Sequence, residues 1–146
     1  MKIEISNQQS LKRINLSQLR KYITKTCILL HKPAVKISFL FCDNCFIRKL
    51  NRKYFKKSGP TDVIAFPLKD KLDKNYLGEV VVSVEEAVRV SKKNGISWQE
   101  ELVLYMVHGV LHLSGFCDKT KKDRDKMERK QQKIVDVLFA EKPKRK

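Results

Sequence analysis

The chain has 146 residues, enough for one domain that buries about two-thirds of the surface exposed by its unfolded form. Lys and Arg outnumber Asp and Glu by 32 to 16, and a net charge of +16 on so small a body favours polyanions over small neutral ligands. No apolar run reaches membrane-span length and the first ten residues hold no signal-peptide core, so the cytoplasm is the expected compartment; four cysteines do not make a secreted disulfide framework.

Ile3 and Ile5 alternate with polar residues over 2–6 like a short strand. Leu16, Leu19, Ile23, Cys27 and Leu30 recur at helical spacing, and Pro33 closes that helix. Val35, Ile37, Phe39 and Phe41 alternate with Lys36 and Ser38, which predicts a half-buried strand over 34–41. Asp43 or Asn44 is placed to cap a following helix carrying Phe46, Ile47 and Leu50. Residues 56–60, KKSGP, read as a turn. The continuous apolar run 63–66 suits a central strand, 69–76 reads as a loop, and 79–82 as another strand. Ser83 with Glu86, and Ser97 with Glu100, have the spacing of capping boxes. The first opens a helix ending near Gly95, and the second opens an apolar helix that carries His108 and His112. A last helix runs from Thr120 to about Ala140, with Met127, Ile134 and Leu138 on one face. Early strands and late helices predict a single α/β domain over 1–140, a mixed sheet of about four strands covered by about five helices, and then a frayed basic tail at 141–146.

The chemistry concentrates in HGVLHLSGFCD, from His108 to Asp118. Residues at i and i+4 share a helix face, so both imidazoles can point at one spot. Gly115 supplies a helix stop, after which the chain can bring Asp118 back toward that spot. Two imidazoles and a carboxylate form a donor set of the kind catalytic zinc uses, on a late helix and the loop after it. Two hydrogen-bonded core histidines are the plain alternative. Gly109 stands where the zinc proteases' H-E-x-x-H carries its glutamate base, which disfavours peptide hydrolysis; a glycine there is also expected to let a backbone or substrate approach the metal.

The run is similar to the signature of the YbeY family of bacterial metal-dependent endoribonucleases, H-G-x-L-H-L-x-G-[YF]-D-H. LNRKY at 50–54, GPTDVIAFP at 59–67 and LGEVVVS at 77–83 agree with it in order, so the resemblance covers roughly residues 46–118. It implies a single-strand-specific endoribonuclease acting in ribosomal RNA maturation, at the 3′ end of 16S rRNA, and in ribosome quality control. It also implies one zinc ion per chain, held by His108, His112 and Asp118, with manganese or another divalent ion as a substitute. The implied partners are ribosomal RNA and the small ribosomal subunit, with a ribosomal protein or an assembly GTPase as further candidates, and no membrane. The rival reading is a ribosome-associated RNA-binding factor whose zinc site is structural or weakly active.

Three positions depart from the family pattern. Cys117 falls where the aspartate stands and Asp118 where the third histidine would be, so Asp118 is preferred to Cys117 as the third ligand. A carboxylate there lowers the metal's net charge and makes the site harder, which favours manganese or magnesium relative to three imidazoles. Phe55 stands in place of an arginine, whose charge Arg52 or Lys56 can replace, and Ala65 in place of a serine. No residue stands out as a separate general base.

Arg48, Lys49, Arg52, Lys53, Lys56 and Lys57 form a cationic cluster, of which Arg48, Arg52, Lys53, Lys56 and Lys57 are the candidate RNA-binding residues. Tyr54 and Phe55 lie among them, but helical spacing predicts that Leu50 and Tyr54 face the core. The cations of the last helix alternate with acids and read as a solvated face, whereas the tail is a cleaner candidate for an RNA-contacting arm. Cys42 and Cys45 form a C-x-x-C at a helix start, where a thiol pKa would be lowered; two reduced, partly buried cysteines are the preferred reading. His31 is expected to interact with a helix C-terminus.

Overall fold

The computed structural model describes residues 1–32, 35–55, 62–67 and 75–140. In chain order they form β1 (Lys2–Asn7), α1 (Leu16–Leu29), β2 (Lys36–Cys42), α2 (Asn44–Phe55), β3 (Val63–Phe66), β4 (Tyr76–Ser83), α3 (Val84–Asn94), α4 (Trp98–Leu113) and α5 (Lys121–Phe139). The strands make one mixed sheet in the order β1-β2-β4-β3, with β1–β2 and β2–β4 parallel and β3–β4 antiparallel. This is the expected single α/β domain. Pro33, the 56–60 turn, most of the 69–76 loop and the 141–146 tail lie outside the described residues; Tyr76 itself already belongs to β4. Among the described residues no helix is long and apolar enough to cross a membrane.

Strand alternation divides the core between the two faces of the sheet. Ile37, Phe39, Phe41, Val80 and Val82 pack in one cluster with residues of α1, α3, α4 and α5. Cys42, Ile64 and Val81 meet Ile47 of α2 in a second cluster, with Leu40, Leu50 and Phe66 packed around it. The run at β3 is therefore apolar because both its faces are covered: Ile64 and Phe66 join the α2 cluster, and Val63 joins the main core. It is an edge strand, not the central one that its composition suggested.

The helix boundaries follow their capping residues. Ser83, Ser97 and Thr120 each accept a hydrogen bond from the backbone three residues on, and Asp43 does the same for α2 through Phe46 N–H at 2.8 Å. Gly95 ends α3 in the left-handed region at φ 68°. The first capping box is only half formed. Glu86 turns its carboxylate to Arg89 with bonds of 2.5 and 3.1 Å, while Ser83 N–H donates to the Asp62 carbonyl at 3.0 Å. His31 follows α1 at φ 60° and donates its N–H to the Ile28 carbonyl at 3.0 Å, so its contribution to that helix end is backbone geometry.

Helix α4 is buried on nearly every side. From Glu101 to His112, only Leu104, His108 and His112 are half-exposed, and these three lie at i, i+4 and i+8 on one line. Gly109 lies about 100° around the helix from His108, on a flank where a Cβ would stand 2.5 Å from Val80 Cγ1 and 3.0 Å from Cγ2. The glycine therefore serves close packing of α4 on β4 and does not open the metal side, as the sequence had suggested.

Gly109→Ala is expected to force α4 off the sheet, at about 1–3 kcal/mol by analogy with other overpacked cores, and to lower the melting temperature. A second expectation concerns Glu86. Its bonds to Arg89 outweigh burial and hold its carboxyl below the ordinary value of 4.5. The stabilisation it gives is therefore present above pH 4.5 and lost as pH falls through the lower folded value. Denaturant melts of Glu86→Gln against the unaltered chain should differ at neutral pH and converge in acid.

Candidate active site

His108 and His112 of this half-exposed line open onto a cleft of about 400 Å³. Its walls are His108, His112 and Asp118, then Asn51 and Phe55 from the last turns of α2, then Asp62, Val63, Ile64, Ala65 and Pro67 along β3. The two imidazole rings have centroids 4.8 Å apart and planes at 77°. Helix α4 stops as the glycine required: at φ 102°, Gly115 donates its N–H to the His112 carbonyl at 3.1 Å, and Phe116 N–H reaches the Leu111 carbonyl at 3.0 Å. The reversed chain carries Asp118 Oδ2 to 4.0 Å from His112 Nε2. Arg124 Nη1 donates to the Asp118 carbonyl at 3.2 Å and ties this turn to α5.

Both rings are oriented by groups outside the cleft wall. His108 Nδ1–H donates to Gln131 Oε1 of α5 at 2.8 Å, which leaves Nε2 with its lone pair. His112 bonds to the Phe116 backbone. Burial, then the neighbouring His108, lower the His112 pKa against the opposing pull of Asp118 and Phe116, so the ring is neutral at pH 7. Neutral imidazole is the form that ligates a metal.

In kind and direction, His108, His112 and Asp118 fit a divalent ion. Donors sharing a tetrahedral zinc ion lie roughly 3–3.5 Å apart, slightly closer than His112 and Asp118 stand. Among the described residues no three His, Cys, Asp or Glu side chains are already drawn together as a closed metal-holding group. Asp118, whose side chain is 60% exposed, is free of the packing that would prevent it from swinging inward. Cys117 does not line the cleft; its Sγ donates to Asp123 Oδ2 at 3.3 Å, which with Thr120 holds Asp123 below the usual carboxylate range.

Three residues in or behind the cleft wall were not singled out in the sequence. Asn51 is a polar residue only 8% exposed on the inner side of α2, and a poor helix former at such a position is the signal that could have marked it. Asp62 is pinned through its carbonyl to Ser83, and its carboxylate lies near enough to raise the pKa of Tyr105, after burial and Glu101. Gln131 had no local signal. Phe55, Ala65 and Asp118, the three departures from the family pattern, all line the cleft.

Arg48, Lys49, Arg52 and Lys53 are exposed along α2; Lys56 and Lys57 lie outside the described residues. Tyr54 does not face the core. It is 56% exposed, because α2 ends beyond β3, at the edge of the sheet, and Tyr54 meets the Phe66 ring edge-on at 5.3 Å. The C-x-x-C pair is split: Cys45 is exposed, while Cys42 closes β2, donates to the Val82 carbonyl at 3.5 Å and is pushed up by burial to about 12, opposite to the lowering expected at a helix start.

The family profile described as Endoribonuclease YbeY matches residues 4–138. The chain belongs to the YbeY endoribonuclease family. A member from Carboxydothermus hydrogenoformans is 41% identical over 105 residues, covering 72% of this chain and 73% of the relative. Those from Syntrophus aciditrophicus and Caldicellulosiruptor bescii are 31% and 34% identical, covering 96% and 94% of this chain and 91% and 98% of the relatives. The fold is similar to the solution structure of a Thermotoga maritima protein, with a TM-score of 0.67, 22% identity and 99% of each chain covered.

The Gln131 contact is directly measurable. Nitrogen-15 NMR of metal-free protein should show His108 with its proton on Nδ1, and Gln131→Leu should release the ring to a tautomer mixture. An unchanged His108 pattern in that variant would remove the orienting role.

Proposed function

We propose that this protein is a metal-dependent endoribonuclease that cleaves single-stranded RNA, acting in ribosomal RNA maturation at the 3′ end of 16S rRNA and in ribosome quality control. The observation that carries this reading is the cleft shared by two imidazoles and a carboxylate at the end of an exposed cationic helix, in a chain of this family. His108, His112 and Asp118 hold one divalent ion, zinc in the first place and manganese in competition with it. When bound, the ion supplies Lewis acidity toward a phosphoryl oxygen and lowers the pKa of a water molecule. Gln131 and the Phe116 backbone keep the two rings facing the cleft. Arg48, Arg52 and Lys53, with Lys56 and Lys57, hold the strand by its phosphates. The small ribosomal subunit, and a ribosomal protein or assembly GTPase on it, are the proposed partners in the cytoplasm. Peptide hydrolysis is disfavoured because Gly109 stands where a zinc-protease helix carries its glutamate base, so that carboxylate is missing.

Three measurements test this reading. Affinity for single-stranded RNA should fall roughly 10³-fold or more between low and moderate salt, and charge reversal at Arg52 and Lys53 should flatten that slope. His108→Ala should abolish cleavage while leaving the fold and most RNA affinity; a steep loss of stability with no cleavage by the unaltered protein would instead mark a structural metal. In elemental analysis, Asp118→Ala should lose metal and Cys117→Ser should keep it. The reverse pattern would assign the third ligand to Cys117.

A further inference from the structure

The aromatic residues at the end of α2 are used by nothing described so far. Phe55 is 47% exposed and lines the cleft opposite the histidines. Its ring lies against Phe66, with centroids 6.1 Å apart and planes at 32°, and Phe66 is set in β3 in register with Glu79. Tyr54 meets Phe66 edge-on and carries Lys53 Nζ 5.2 Å above its own ring. The Phe55 ring is thus backed by a ring fixed in the sheet while about half of its surface meets solvent. An exposed, pre-oriented aromatic at the mouth of a polar cleft is poorly explained by packing alone.

The charge around it selects the occupant. Helix α2 holds Arg48, Lys49, Arg52 and Lys53 and no acid at all. Arg48, Arg52 and Phe55 stand at i, i+4 and i+7, so they share one face, and the cations trail back from the ring over about 10 Å of helix. A flat hydrophobic face that continues into a row of guanidinium groups matches an unpaired nucleotide, with its base on the ring and its phosphates on the arginines. A protein partner would be offered an apolar patch of one or two rings flanked by unbalanced positive charge.

We propose that Phe55 stacks an unpaired base of the RNA next to the linkage held in the cleft, with Phe66 backing the ring and Arg52 and Arg48 taking the phosphates leading away from it. The inference rests on the endoribonuclease reading and adds a subsite to it. Stacking on one ring discriminates little between bases, so it selects for an unpaired nucleotide at that position more than for a sequence. Tyr54, though more exposed, does not line the cleft and takes no base.

The test uses the full chain with metal removed by chelator, so that binding is read without cleavage. The probes are short single-stranded oligoribonucleotides carrying 2-aminopurine, or an abasic residue, at each position in turn. The unaltered protein should quench 2-aminopurine at one position, and an abasic residue there should weaken binding about 5- to 150-fold. Phe55→Leu should lose the quenching and weaken intact RNA by a similar factor, yet change affinity for the abasic RNA little. Phe55→Trp should retain binding and show its own fluorescence change, and Tyr54→Leu should leave the base dependence in place. Equal weakening of intact and abasic RNA by Phe55→Leu, base dependence that follows Tyr54, or a change in oligomeric state in place of base dependence would each overturn the stacking role. RNA cleavage by the metal-loaded protein, measured in parallel, separates the two levels. Cleavage without base coupling sinks the subsite alone, and no RNA binding or cleavage sinks both.

Discussion

The depth at which α4 sits in the molecule is set where position 109 lacks a side chain and Val80 fills the space. With any larger residue the helix would stand off β4 or roll about its axis. Either motion would move the line of Leu104, His108 and His112, because a helix carries all its side chains as one body. That line is the half-exposed part of α4 between Glu101 and His112, and its two histidines line the cleft. Burial of the rest of the helix in the main core then holds the histidines in place without asking a loop to do so.

Much of this organisation is local and therefore written in local signals. The serine and threonine caps, the left-handed glycine after α3, the glycine stop after α4 and the i, i+4 spacing of the histidines all act within one or two turns of chain. Each could be read residue by residue, and together they placed both the helices and the return of Asp118 toward His112. The resemblance carried by the histidine run extended this to the family, which the profile over residues 4–138 bears out.

What was not legible depends on which elements meet. The apolar run of β3 looked central because burial on two faces and burial between two strands leave the same composition. Tyr54 looked buried because helical spacing says where a side chain points but not whether the neighbouring sheet extends that far. Gly109 could be recognised as a place of close approach, yet the sequence did not say to what. Gln131 is one polar residue in a helix rich in them, and only the docking of α5 gives it His108 as a partner.

That last contact has a consequence for how the chain becomes competent. Both histidines belong to α4, but the group that orients His108 lies 23 residues later, on α5. Synthesis runs from the N-terminus, so β1 through α4 exist as chain before the segment that sets this ring. A nascent or C-terminally shortened chain has the histidines without the orientation of the first one. The finishing of the site is thereby tied to the synthesis and docking of α5, a form of timing written into topology alone.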